Sequence, residues 1–385
     1  MMETLGWGAI FSHVMIRFIP VWISLVVLFT TSIFFKRRLG LYGKLFDSPI
    51  GMVGFLLVMF WVFTAIFAGQ IAPFDPIRPL GIARKALPGT PVAGMQNAWF
   101  LFGADNLARD VFSRMVYGSQ RVLLIAPLAT LFAFMVGITL GLPAGYFRGR
   151  LDTVLSFLAN LVLAFPVILL FYLLVTPEIV RTGIPMYLAA VLFLFPVVFL
   201  VVLLNSRFFT RPALRNGIVA VVVALGMWAY VGLAFNADPV GVWGMDPNML
   251  NVFVSVVFVN SPTVFRIVRG LAMDIQTRDY VAAAQTRGEG PWYIMLWEIL
   301  PNARGPLIVD FCLHIGYTTI LLGTLGFFGL GVSPESPDWG STINEGRKLL
   351  RSVVHPALPP ALALMSLVLG LNLLADGLRE ESLKD

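Results

Sequence analysis

Nine apolar runs, each near the ~20 residues that cross a bilayer as a helix, govern what this chain can become. They fall at 14–35, 50–72, 121–145, 153–176, 185–205, 216–236, 249–268, 305–330 and 357–378. The fourth is the cleanest, with no charge from Val154 to Val175. The first starts with His13 and Arg17, which also suits a helix lying in the interface. The chain is 58% hydrophobic and 12% charged, with mean hydropathy +0.84. Soluble domains carry about 25% charged residues, and a single soluble core stops growing near ~250–300 residues. Lipid is therefore the solvent for much of the surface. The fold class is an all-α polytopic membrane protein with about nine transmembrane helices.

Lys and Arg in short loops mark the cytoplasmic side. Lys36, Arg37, Arg38 and Lys44 follow the first run, Arg148 and Arg150 the third, and Arg207, Arg211 and Arg215 the fifth. Arg266, Arg269, Arg278, Arg287 and Arg304 flank residues 279–301. Every second loop is basic, which places 279–301 and the C-terminus inside and the N-terminus outside. The stretches 73–120 and 332–356 are also basic and fall outside, but both carry acidic residues, and longer loops translocate despite charge. The net charge of +6 belongs to this pattern. Its dispersal along loops gives no nucleic-acid footprint. External residues Gly103 to Arg114 mix charge and apolar side chains at helical spacing and read as an interfacial helix.

Gly137, Gly141 and Gly145, four apart, predict a close helix–helix crossing. Pro143, Pro166 and Pro196 predict kinks. Cys312, the one cysteine, excludes an intrachain disulfide and reads as a small packed hydrophobe. No phosphate-cradling Gly-x-x-x-x-Gly-Lys-Ser/Thr loop, zinc-protease, serine-hydrolase or dinucleotide pattern occurs, and three histidines are scattered. The sequence thus offers no catalytic residue, no metal site and no bound cofactor. Energy for any work must come from a partner or an ion gradient. Asp310 and His314, four apart in the eighth run, are candidate translocation-path residues, weighed against a local ion pair near the inner interface.

Residues 279–301 stand apart as a polar segment between apolar runs. Asp279 suits a helix N-cap, Tyr280 to Thr286 a short helix, and Gly288 with Gly290-Pro291 its end. Trp292 to Ile299 reads as a second short helix before Leu300-Pro301 returns the chain to the membrane. Ala283 and Ala284 make a flat face that a partner could approach closely. An ordinary interfacial helix-turn-helix loop fits these residues equally well.

The run resembles the Glu-Ala-Ala-x-x-x-Gly-x9-Ile-x-Leu-Pro signature of ABC importer permeases, with Ala283, Ala284, Gly288, Leu300 and Pro301 in register. It is most similar to the oligopeptide/dipeptide/nickel family, the second permease of the pair. Residues 99–116 resemble that family's Leu-Gly-Thr-Asp-x-x-Gly-Arg-Asp-Val-x-Ser-Arg segment, and Gly141 to Asp152 its Gly-x-x-Ala-Gly-Tyr-x-x-Gly-x-x-Asp turn. Phe327 to Val332, Pro337 to Gly340 and Asn372 to Arg379 resemble further family stretches. The departures are Ala282 at the signature's Glu, Glu298 at its Ile, Gly323 at a usual Glu, and Ala104 and Ala108 upstream.

The resemblance implies a six-helix core in residues 49–385, with two spans inserted at about 180–240, after an N-terminal extra helix and basic loop in 1–48. It implies a non-catalytic permease in a bacterial cytoplasmic membrane. Its partners would be a homologous second permease, two cytoplasmic ATPases that hold ATP and magnesium, and an extracytoplasmic binding protein. Asp279 to Pro301, with Glu298, would be the ATPase-coupling loop. The expected substrate is peptide, with oligosaccharide or nickel as the alternative. A rival class, an ion-driven carrier or channel, needs several paired intramembrane charges and usually an internal repeat; such charges are few and no repeat is evident.

Overall fold

The computed structural model describes residues 3–238, 240–242, 246–330 and 336–382. Gly331 and Val332 of the motif ending at Val332 lie outside them. In order the chain forms α1 (Trp7–Arg17), α2 (Ile19–Phe35), α3 (Pro49–Ile66), a two-stranded ribbon of β1 (Thr90–Pro91) and β2 (Trp99–Phe100), then α4 (Val111–Phe147), α5 (Gly149–Leu163) and α6 (Val167–Val175). There follow α7 (Ile184–Leu192), α8 (Leu194–Arg207), α9 (Pro212–Phe235), α10 (Pro247–Ile275), α11 (Asp279–Thr286), α12 (Arg304–Phe328), α13 (Trp339–Arg347) and α14 (Leu358–Ser382). Among the described residues, eight helices are long and apolar enough to span, α7 and α8 counting as one; the pair α5–α6 makes a ninth if it crosses.

The kink expected at Pro166 is present and sharp, with α5 and α6 meeting at 83°, while two other expectations need correction. Pro166 has no N–H to donate and drives Phe165 from the helical region, so one helix stops at Leu163 and the next restarts at Val167. The first span begins at Ile19; His13 and Arg17 belong to α1, which exposes Trp7, Phe11 and Ile16 as an interfacial helix would. Residues 103–110 are not helical. The Asp105 carboxylate accepts from Leu107 N at 2.8 Å and Arg109 N at 2.9 Å, a local alternative to helical bonding. Ala108 adopts φ 60°, and Ala104 bridges Asp110 before α4 starts at Val111.

The chain divides into two compact units, with boundaries inside α4 and α12. In the first (Met1–Pro127 and Cys312–Asp385), α3 crosses α14 through glycines. A Cβ on Gly54 would meet Leu374 N at 2.3 Å, and one on Gly377 would meet Gly51 Cα at 2.4 Å. Trp61 caps this seam by donating to Ser366 Oγ at 2.8 Å and meeting Trp339 edge-on at 5.0 Å. A buried charge network closes one end of the unit. Arg109 donates to Asp105 at 2.7 Å and to Glu345; Arg114 donates to Ser336 O at 3.0 Å. Trp339 donates to Met115 O at 2.7 Å, and Asp338 caps α13 through Ser341 N at 2.8 Å. Burial raises the Asp338 carboxyl against those bonds and pushes Asp110 up to about 6.

The second unit is Leu128–Phe311. Gly137, Gly141 and Gly145 on α4 face α10, where a Cβ would strike Val264, Phe265 or Arg269 at 2.5–2.9 Å. The predicted close crossing is present. Asp152 on α5 takes both Arg269 nitrogens of α10, one at 2.6 Å. α8 packs on α9, with Val197 over Gly226, and Tyr230 of α9 donates to Ala190 O of α7 at 2.8 Å.

Candidate functional site

Residues 276–303 form a knob whose base is apolar and whose tip is exposed. On α11, Val281 and Ala284 lie three apart and are both fully buried. They pack with Ile294, Met295, Leu296 and Ile299 from the return arm and with Ala272 and Ile275 from α10. Burying one large aliphatic side chain stabilises by about 2 kcal/mol, so this base fixes the knob to its helices. Tyr280, Ala282, Ala283, Gln285, Arg287 and Trp292 face outward. The small outward face is therefore Ala282–Ala283, and Ala284 belongs to the interior. Asp279 is the first helical residue and Arg278 the cap, so its charge acts on the helix dipole and not as a capping acceptor.

Gly288 ends α11 at φ +79°, a conformation that side chains other than glycine resist. Glu289 N reaches Ala284 O at 3.2 Å and Gly288 N reaches Gln285 O at 2.9 Å, the paired bonds of a Schellman turn. Pro291 then opens a short turn, Pro291–Tyr293, at a position where its missing N–H costs nothing. The expected second helix is a π-helical turn over Ile294–Ile299, with Leu300 N bonded to Met295 O. Pro301 supplies no N–H to the Trp297 carbonyl, and the wider turn lets Ile294, Met295, Leu296 and Ile299 all face inward.

Polar contacts tie the knob together. Arg287 Nη2 pairs with Glu298 Oε1 at 3.1 Å across its two arms. Asn302 Nδ2 donates to Glu298 O at 2.6 Å, and Leu300 and Pro301 run on into a last turn, Leu300–Asn302. Gln276 donates to Gly145 O at 3.2 Å at the end of α10. Trp297 was not anticipated from the sequence: its Nε1 donates to Ser206 Oγ at 3.0 Å, and Arg207 lies over its ring at 4.8 Å. Only the fold brings these residues together, across about ninety positions of chain.

The other candidates, Asp310 and His314, sit one turn apart on α12. Asp310 is half-buried, and His314 is buried with its ring 6.1 Å from Tyr317. Cys312 is half-buried on the same helix. Among the described residues no group of three or more His, Cys, Asp or Glu could hold a metal ion. The knob holds no nucleophile–base pair; what it offers is an exposed, shape-defined protrusion on a rigid apolar base.

Comparison with known proteins agrees with this architecture. Residues 137–380, more than half of the chain, match the family described as binding-protein-dependent transport system inner membrane component. The chain is 27% identical over 329 residues to the dipeptide transport system permease protein DppC of Haemophilus influenzae, covering 86% of this chain and 88% of that protein. It is 28% identical over 350 residues to the di/tripeptide transport system permease protein DppC of Pseudomonas aeruginosa, covering 91% and 93%. It is 28% identical over 339 residues to the glutathione transport system permease protein GsiD of Pectobacterium atrosepticum, covering 88% of each. This chain belongs to the family of binding-protein-dependent transport system inner membrane components.

Proposed function

We propose that this permease imports short peptides, and that the knob at 276–303 is where cytoplasmic ATPase subunits grip it. The observation that carries the reading is the division of that knob into a buried base and an exposed tip of Ala282, Ala283, Arg287 and Trp292. A protrusion held at its base transmits force without deforming. ATP-driven closure of the partners would swing the permease between two packed states. The three relatives reported above are named for dipeptide, di/tripeptide and glutathione transport, all short peptides. On this reading a second permease completes the pathway, a binding protein delivers substrate from outside, and the C-terminus is cytoplasmic. Nickel and oligosaccharide are the competing cargoes.

The test is co-purification from mild detergent with a tagged chain, beside a Gly288→Asp variant. ATPase subunits should accompany the parent and be lost from the variant, because a side chain at φ +79° disturbs the tip. Absence of any ATPase from the parent sinks the reading. In proteoliposomes with the whole complex, labelled dipeptide uptake should require ATP and the binding protein. Uptake of nickel or oligosaccharide alone would overturn the substrate assignment.

A further inference from the structure

We propose that the hairpin formed by α7, α8 and α9 is a brace for the coupling knob, and that Ser206 and Arg207 are positioning residues for energy transfer. The proposal rests on the coupling assignment above and adds a role for the spans that the family resemblance reads as inserted.

Three separate contacts join the end of α8 to the return arm. The indole of Trp297 donates to Ser206 Oγ at 3.0 Å, and Ser206 in turn donates to Leu203 O at 2.8 Å. The guanidinium of Arg207 lies 4.8 Å from the Trp297 ring centroid, within cation–π range. Phe199, Val202 and Leu203 pack on the buried cluster that forms the base of the knob. A cavity of about 40 Å³ between α8, α4 and the return arm has an apolar lining that includes Val202, Leu142 and Leu296. That seam is neither flush nor polar, so the hydrogen bond and the stacked cation fix direction where apolar packing alone would let the helices slide.

Trp297 occupies the centre of the π-helical turn, and its neighbour Glu298 holds Arg287 at 3.1 Å. A load on the tip at Arg287 therefore passes through Glu298 and Trp297 to α8 within a few bonds. Hairpin and knob would move as one body, which stiffens the lever between ATPase and membrane. The outer face of α9 is largely uncovered, in keeping with a brace that faces lipid.

The test uses the full complex in proteoliposomes, with Ser206→Ala, Arg207→Gln, Trp297→Phe and the double variant Ser206→Ala/Trp297→Phe. The readouts are ATPase subunits retained, ATPase stimulation by peptide-loaded binding protein, and peptide carried per ATP. Retention should stay at the parental level in Ser206→Ala and Arg207→Gln. Stimulation and peptide per ATP should fall about fivefold, the equivalent of one lost hydrogen bond. The double variant should lose less than the sum of the two single losses, since both substitutions remove the same hydrogen bond. Parental stimulation in all variants overturns the brace. Loss of ATPase subunits in step with activity also overturns it, because a merely structural contact would act that way. If the parent itself retains no ATPase, the coupling assignment falls, an outcome readable before any variant is compared.

Discussion

Burial of charge is where single residues decide most in this molecule. Arg109 is 2% exposed and is held by Asp105, equally buried, and by Glu345, whose side chain is 20% exposed. Removing one partner of a buried pair costs about 3–5 kcal/mol because the other is left uncompensated. Arg109→Met should therefore approach that loss, seen as a lower unfolding temperature in detergent. Glu345→Gln should cost less, about 1–3 kcal/mol, since Asp105 still neutralises Arg109, Asp105 and Asp338 still act on Arg114, which Glu345 also faces at 3.7 Å, and solvent reaches the altered side chain. The reverse order would contradict the network. Asp110 gives a pH signature. Its Oδ2 accepts from Ser113 N at 2.8 Å and Oγ at 2.7 Å, while Oδ1 is buried without a partner. Desolvation lifts its pKa from 3.8 to about 6, against the hydrogen bonds from Ser113 and a small opposing pull from the charge of Arg17. A carboxyl raised in the folded state holds its proton more tightly there than in the unfolded chain. Stability from this group is thus highest below about pH 4, falls as pH rises to about 6, and stays reduced above. The full difference is on the order of 3 kcal/mol. Asp110→Asn keeps the acceptor toward Ser113 and should gain on the parent as pH rises from 4 to 6. A stability difference between the two that is constant from pH 4 to 8 would refute this.

Helix crossings show which parts of the fold the sequence could announce. The four-residue glycine spacing on α4 is a local signal, and its consequence, close contact with α10, appears at the same glycines. The span count was readable for a similar reason, because lipid imposes length and apolarity on each run separately. Pro166 announced the bend between α5 and α6, but charge-free composition gave no sign that it reaches 83°. The Arg109–Glu345 pair joins residues 236 apart, and no local pattern encodes that distance. At 279–301 the sequence carried the turn at Gly288, since a positive φ demands glycine. It did not carry the inward face of Ala284 or the docking of Trp297, which depend on what α10 and α8 present. Glycines in helices therefore differ by context, and this can be checked. A Cβ at Gly54 meets the backbone of Leu373 and Leu374 at 2.3–2.7 Å, which cannot yield without moving a helix. At Gly270 nothing lies within 4 Å. Gly54→Ala should lower the melting temperature, with overpacking of about 1–3 kcal/mol. Gly270→Ala should raise it, gaining up to ~1 kcal/mol of helix propensity. Equal effects at the two sites would mean that α3 and α14 do not cross as closely as described.

For the chain as a whole, the bent pair α5–α6 decides the topology. Each crossing moves the next loop to the opposite side. If α5–α6 crosses, nine crossings place Lys36–Lys44, Arg148–Arg150, Arg207–Arg215 and the knob at 276–303 on one side, together with the C-terminus. If instead the pair turns back, every later loop inverts. Arg207, Arg211 and Arg215 would then lie outside, and the knob would lie on the opposite side from Lys36–Lys44. Basic residues in short loops favour the cytoplasm, which supports the arrangement in which the pair crosses. The 83° bend does not forbid a crossing, because two connected helices of fifteen and nine residues can still carry the chain through a core about 30 Å thick. Single cysteines in a Cys312→Ala background would read the outcome directly. At Thr182, between α6 and α7, a membrane-impermeant maleimide should label intact cells. At Thr210, between α8 and α9, and at Gln285, on the exposed face of α11, labelling should require permeabilisation. Labelling of Thr210 and Gln285 in intact cells would show that the pair re-enters, and would remove the knob from reach of any cytoplasmic ATPase.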